Sequence, residues 1–360
     1  MPQLKIATFN AEWMISIFGG LWKDWHSPDI PQSFPGKTIG GVHLEPIADV
    51  PGLCERIAGV IRDVGAQIIG IEEAPPLAAQ MQVFVQRFLN DEYEVHYSNS
   101  RSQSICALVH RSISAAVTSQ PPGGTQTRPF RTKVPYYPWG GIAVADQRLH
   151  RFDRTPLLLD FQPAPGTAMR IIVVHTKSKY SLLKTKQQWD KRDRAAILDA
   201  LDAREALSSE VMTMRQYLDV QLQPPDENKN IVVMGDFNDG PFAELIEREF
   251  LIHNIIDELA GTLLQPMRHF RHAMTPDVLA TATTTTFSDP VENGKIVNEL
   301  IDHILVSPGI WQGRAPFPLV DGSCQVEVQA YEAHNDDHGP VRQRGLRPSD
   351  HKPVSAVFTY

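Results

Sequence analysis

Asn-Ile-Val-Val-Met-Gly-Asp-Phe-Asn-Asp-Gly-Pro, residues 230–241, sets an apolar, β-prone run against an abrupt polar turn. A short continuous apolar run closed by Gly, Asp and Asn reads as a buried strand entering a loop. Asp236 and Asn238 stand two apart just beyond it, so both can project to one side of the turn. One could orient a water and the other donate to a phosphoryl oxygen. A polar turn leading to a helix at Pro241 accounts for Gly240-Pro241 but leaves the run ending in GDFN as coincidence.

The same grammar recurs outward from this segment. LKIATFN ends at Asn10, IIGI runs into Glu72-Glu73, and LI precedes Asp302 and HILVS. Near the C-terminus, Ser349-Asp350-His351-Lys352-Pro353 stands immediately before the last apolar run, PVSAVFTY. Strand ends on a buried sheet hold a carboxylate rigidly while its head stays in a cleft. Each acid alone is better explained as a turn or cap residue. Adjacent Asp350 and His351 pair a hard-metal carboxylate with an imidazole, and Asp302 is available to orient that ring.

The whole chain sets the bounds. With 360 residues, 42% hydrophobic and 21% charged, it is long enough for a large core and has a globular composition. The net charge of −8 argues against a protein that grips nucleic acid by bulk charge, but not against an enzyme whose bound cation reverses the local sign. Three widely spaced cysteines, Cys54, Cys106 and Cys324, offer neither a disulfide framework nor a Cys-x-x-Cys clip. No leader pattern and no membrane-length apolar run is visible, so a cytoplasmic protein is expected, although a trimmed signal peptide would leave the same picture.

Between the motifs, residues 14–50 carry Gly pairs, prolines and aromatics without sustained period, which predicts a long structured loop or lid. Leu53, Ile57, Val60, Ile61 and Val64 form one helical face closed by Gly65, and a second helix is predicted around 76–90. Strands are predicted at EVHYSNS, SICALVHR, SISAAVTS, TPLLLDFQ, MRIIVVHTKS and TATTTTFSD, and the longest helix over 185–221.

Taken in order, ATFNAEW, IIGIEEAP, RTPLLLDF, IIVVHTKSK, VVMGDFNDGP, LIDHILVS and RPSDHKPVSAVF resemble the endonuclease/exonuclease/phosphatase superfamily, the deoxyribonuclease I-like fold. The resemblance spans nearly the whole chain. It implies one domain over 1–360, with the loop at about 14–50 inserted, built as a four-layer α/β/β/α sandwich of two packed mixed or antiparallel sheets flanked by helices. It implies Asn10, Glu73 and Asp350 as metal-site residues for Mg²⁺ or Mn²⁺. Asp236 would activate the attacking water, Asn238 would contact the phosphate, His351 would lie beside the scissile phosphate supported by Asp302, and His175 would be the second histidine. Where the family often carries Gln this chain has Glu72, read as a support for Glu73 rather than a ligand.

The activity so implied is in-line hydrolysis of a phosphodiester, with a nuclease acting on DNA or RNA favoured and the protein a monomer. A small-molecule or lipid phosphoesterase is the alternative, and an inactive binding scaffold a further one, though none of the core residues is missing. Arg154 either clamps a phosphate or braces the site, and Lys177 and Lys179, close to His175, are expected to meet substrate. Trp22 and Trp25 could stack on bases, but anchoring the loop is the favoured reading. A second metal at His269 and His272, or at His334 to His338, is considered and set aside.

Overall fold

Strand β1 (Gln3–Asn10) alternates along its length: Leu4 and Ile6 enter one core, Ala7 and Phe9 another. Such alternation requires apolar cover on both sheet faces. The computed structural model describes all residues except 22–24, 26–28, 40, 99–101, 122, 138–147, 225–227, 242–243, 251–253 and 340–341.

Two six-stranded sheets share one plan. In the first, β13 (Gln325–Val326), β14 (Val354–Thr359), β1, β2 (Ile68–Ala74), β4 (Ser104–His110) and β3 (Tyr93–Ser98) follow one another. In the second the order is β9 (Arg271–His272), β12 (Asp302–Val306), β8 (Asn230–Asp236), β7 (Thr167–His175), β6 (Leu157–Ala164) and β5 (Val117–Ser119). Each holds a single parallel pair at its centre, β1 with β2 and β7 with β8, and is antiparallel elsewhere. Parallel neighbours need a crossover, and each pair has one built on a helix. These are α1 (Val50–Val64) and α3 (Arg194–Gln221).

The crossover helices have local reasons to begin and end. The Asp49 side chain accepts from Gly52 N, Pro51 sits in the first turn of α1, and Gly65 closes it in the left-handed conformation. Leu53, Ile57, Val60 and Val64, with Met81 and Phe84 of α2 (Ala78–Phe88), pack on the outer face of the first sheet. Leu207, Val211, Met214 and Leu218 of α3 pack on the outer face of the second. Between the sheets lie Leu4, Ile6, Ile68, Leu159, Ile171, Val232 and Ile304. Helix, sheet, sheet, helix are therefore the four layers expected. Gly70 sits at the centre of the inner face, where a Cβ would come within 2.7 Å of Val173 Cγ1. A larger residue there would push the sheets apart.

Two local readings need correction and a third gains detail. The helix predicted over 185–221 is two, Lys186–Asp190 and α3, because Arg192 turns left-handed and the Asp193 side chain caps Ala195 N and Ala196 N. In SISAAVTS only β5 is strand, since Ser114–Ala116 coil into a 3₁₀ turn. Residues 14–50 hold a buried 3₁₀ turn at Met14–Phe18 and a hairpin of Lys37–Ile39 with Val42–Leu44, and Ile15, Phe18, Phe34 and Ile47 pack into the α1 core. Among the described residues no helix is long and apolar enough to cross a membrane.

Candidate active site

The inner-facing columns of both sheets turn polar at the same rim. Leu4 and Ile6 lead to Thr8 and Asn10, Ile68 and Gly70 to Glu72, Ile171 and Val173 to His175, and Val232 and Met234 to Asp236. A period-2 strand that is apolar for two steps and polar at the last delivers its polar group to the mouth of the sandwich. The parallel registers set Asn10 opposite Glu72 and His175 opposite Asp236. Asp302 opens β12 rather than ending a strand, and antiparallel pairing sets it opposite Asp236.

The pair Glu72-Glu73 is split by the backbone. Pairing of β2 with β4 slips between Ile71 and Ala74, and Glu73 adopts a left-handed φ of 55°. Such an irregularity re-aims a side chain that the pleat would otherwise send to the helix layer. Glu72 stays fully buried between the sheets, where Thr8 Oγ1 donates to its Oε1 at 2.7 Å and its Oε2 has no partner. Burial holds that carboxyl well above the usual range. Glu73 instead accepts from Trp13 N at 2.7 Å and brings Oε1 to 4.0 Å from His175 Nε2. Burial first, and the charge of Asp350 second, push it up to about 7.

Asp236 is held on three sides. Asn10 Nδ2 donates to its Oδ2 at 2.9 Å, Asn238 N donates to its Oδ1 at 2.8 Å, and His175 Nε2 stands 3.5 Å from Oδ2. Burial raises its carboxyl to about 6, against the lowering influence of His351. Asn238, itself left-handed, donates from Nδ2 to Thr176 O at 3.1 Å. His175 is buried with Nδ1 unpartnered, so no acid supports that nitrogen, and burial followed by Arg154 and His351 keeps it well below the ordinary histidine value.

His351 is the opposite case. Its Nδ1 lies 2.8 Å from Asp302 Oδ2, and although burial disfavours the cation, Asp302, Asp350 and Asp236 together hold the ring well above its usual value. Asp350 is half exposed, with Oδ1 3.9 Å from His351 Nε2. Donor atoms of Asp236, Asp302 and His351 lie within 4.8 Å of one another, the one such grouping among the described residues. The hard carboxylate oxygens at this rim, including the unpartnered Oδ1 of Asp302, suit a hard divalent cation.

The sequence matches the Endonuclease/Exonuclease/phosphatase family over residues 53–351. The chain belongs to that family. Members of the endonuclease/exonuclease/phosphatase family are hydrolases of phosphoester bonds and typically depend on a divalent metal. Similar solved structures include truncated Caenorhabditis elegans TDP2, at 12% identity and TM-score 0.48 over 99% of this chain and 98% of that one. An endonuclease/exonuclease/phosphatase from Bacteroides vulgatus matches at 13% identity and TM-score 0.48 over 100% and 99%. D. rerio TDP2 complexed with single strand DNA product matches at 10% identity and TM-score 0.46 over 100% of both chains. No curated protein matches the sequence.

Asn10 lies outside the segment matched to the endonuclease/exonuclease/phosphatase family, and only the fold brings it to Asp236. The basic residues expected near substrate are engaged within the protein. Arg154 Nε donates to His175 O at 3.1 Å, its Nη1 to Gln103 Oε1 at 2.8 Å and its Nη2 to Thr176 O, so it braces the loop. Lys179 Nζ sits within 3.0 Å of Asp239, Glu244 and Glu247. Lys177 Nζ donates to Ser178 O at 3.3 Å, while its backbone N bonds Glu210. Trp25 packs edge-on against Phe18 at 5.8 Å, as a loop anchor does, and Trp22 lies outside the described residues. His272 bonds His303 rather than His269, and His334 pairs with Asp63.

Sequence reading missed Arg344 and Ser349. The buried Arg344 guanidinium donates to the carbonyls of Ala11, Glu12, Arg347 and Pro348 at 2.9–3.2 Å, tying the loop after β1 to the loop carrying Asp350. Ser349 Oγ donates to Asn10 O at 2.6 Å and accepts from His351 N at 3.0 Å. Carbonyl acceptors leave no mark in a sequence; only the place of Ser349 inside the RPSDH motif hinted at a role.

Proposed function

We propose that this protein is a divalent-metal-dependent phosphodiesterase of the nuclease kind, hydrolysing its substrate by in-line attack of water. The observation that carries the reading is the grouping of Asp236, Asp302 and His351 donor atoms within 4.8 Å in one cleft, where burial raises the Asp236 carboxyl to about 6 and Asp302, 2.8 Å from its Nδ1, raises His351 well above its ordinary value. Two groups so tuned suit proton abstraction and charge stabilisation in one reaction. Asp236, fixed by Asn10 and the turn at Asn238, takes the proton from water. The His351 imidazolium and Asn238 Nδ2 donate to phosphoryl oxygens as negative charge grows there. His175, kept neutral, is a hydrogen-bond donor that adds no charge.

Glu73, Asp350 and Asn10 would hold the cation, which when bound supplies Lewis-acid charge to the phosphate. A diester fits better than a monoester for an electrostatic reason. Lys179 is neutralised by Asp239, Glu244 and Glu247, and the Arg154 donors are taken up by carbonyls and Gln103, so neither is free to bond the second charge of a monoester. Hydrolysis of bis(4-nitrophenyl) phosphate and of the corresponding monoester, each with Mg²⁺, Mn²⁺ or chelator, tests this. Metal-dependent cleavage favouring the diester is expected. Cleavage indifferent to chelator, or none with any divalent ion, would sink the reading.

A further inference from the structure

His272 and His303 lie side by side on the outer face of the second sheet, away from the cleft. They stand 31 positions apart, separated by the hairpin of β10 (Thr285–Asp289) and β11 (Lys295–Glu299), and the antiparallel pairing of β9 with β12 brings them together. Alternation along β12 sends Asp302 to the cleft and His303, with Leu305, to the helix layer. There the His303 ring meets Phe237 edge-on at 5.7 Å. His303 is buried and His272 partly so.

Their hydrogen bonds run in one direction only. Met274 N donates to His272 Nδ1 at 3.0 Å, so that nitrogen is bare and the proton of the neutral ring is on Nε2. His272 Nε2 lies 3.1 Å from His303 Nδ1 and donates to it, which places the second proton on His303 Nε2. That N–H donates to Asp239 O at 2.9 Å. A backbone donor begins the relay and a carbonyl ends it, leaving a single arrangement of protons. It also excludes charge, because a cationic His272 would turn a second N–H on Met274 N and a cationic His303 would turn one on His272. Burial, the largest influence on both, holds each ring below the ordinary histidine value.

The carbonyl at the end of the relay belongs to the turn that carries Asp236 and Asn238. The Asp239 side chain is held separately, by Lys179 Nζ at 2.6 Å and Ile255 N at 3.0 Å. Asn238 is left-handed, a conformation that a residue with a side chain keeps where its neighbours hold it. Rotation of the Asp239 peptide would let Asn238 relax and lose the 3.1 Å bond from its Nδ2 to Thr176 O. We propose that His303 is a positioning residue for Asp236 and Asn238, its donor aimed at Asp239 O because His272 fixes its tautomer. The catalytic consequence rests on the phosphodiesterase reading. It gives His272 a role other than metal binding.

The test begins with NMR of the full chain uniformly labelled with ¹⁵N. Both rings should be in the Nε2–H form, with a scalar coupling between His272 Nε2 and His303 Nδ1 across their hydrogen bond. His303→Phe removes the donor to Asp239 O; it should shift the Asn238 side-chain amide resonance and lower kcat for an aryl diester by about ten-fold or more with KM little changed, as misplacement of a reacting group does. His303→Gln, which keeps an acceptor and a donor on one side chain, should recover most of that turnover. His272→Phe, at a partly exposed position, should abolish the coupling, release the His303 tautomer and lower kcat by less, and it tests the idea should His303→Phe misfold. Absence of the coupling from the wild type, kcat unchanged in both Phe variants, or turnover equally low in His303→Gln overturns the inference. Because tautomer, coupling and the Asn238 resonance are read without turnover, a protein that shows all three as expected yet cleaves no diester would refute the phosphodiesterase reading and leave the relay and its hold on the turn standing. One that cleaves aryl diesters without the coupling would do the reverse.

Discussion

Glu73 couples stability to pH and metal in a way that can be worked from its surroundings. Its carboxyl is raised from 4.5 to about 7, chiefly by burial and then by Asp350. The folded chain thus holds that proton more tightly than the unfolded chain, and ionisation opposes folding. The contribution is fully present below about 4.5 and is lost as pH rises through about 7. Raising the carboxyl from 4.5 to about 7, at roughly 1.36 kcal/mol per pH unit, corresponds to about 3 kcal/mol. For a chain of this size that is roughly 4 °C in Tm. Urea unfolding in chelator at pH 4.5, 6 and 8 should show the fall. Asp236, raised to about 6, and Glu299, raised to about 7, contribute in the same direction, so the decisive quantity is the difference between wild type and Glu73→Gln. That variant should lose about 3 kcal/mol less between the extremes. Adding Mg²⁺ or Mn²⁺ at pH 8 should restabilise the wild type more than the variant, since a ligand that binds only the folded state stabilises it by mass action. Identical pH dependence of the two proteins in chelator would show that Glu73 is not the strained group.

Asp236→Asn should retain the stabilisation by metal yet lower kcat by roughly 100-fold or more, as expected for loss of a general base; near-normal turnover with an aryl diester would remove the assigned role. Asp302→Asn takes away the carboxylate that raises His351, so the alkaline limb of the rate profile should move to lower pH, and an unmoved limb would break the coupling. Arg344→Ala strands four carbonyl acceptors and should cost about 3 kcal/mol or more in urea unfolding, while weakening the metal's effect on Tm because the loops carrying Glu12, Trp13 and Asp350 are no longer tied; a loss below about 1 kcal/mol would make it an ordinary surface arginine.

The strands were legible in the chain itself, because buried strands declare themselves by apolar runs and their polar rim residues by position, while the family and the four-layer plan came from the resemblance that the ordered motifs carry. Asn10, His175 and Asp236 are the last residues of their strands and Glu72 stands two before the end of its own, and their common rim follows from period 2 and the parallel registers. Three features take their physical reason from the tertiary structure. Glu73 rather than Glu72, a choice the sequence carried only through the family resemblance, reaches the cleft because of a slipped register and a left-handed φ. Whether Arg154 and Lys179 meet substrate depends on distant carbonyls and carboxylates that occupy them. That His351 is held above the ordinary histidine value and His175 below it depends on the Asp302 carboxylate 2.8 Å from one ring and on burial near Arg154 for the other. Local pattern determines which residues arrive at the rim; non-local contacts, which no local pattern encodes, decide their orientation, their charge and what remains free to bind.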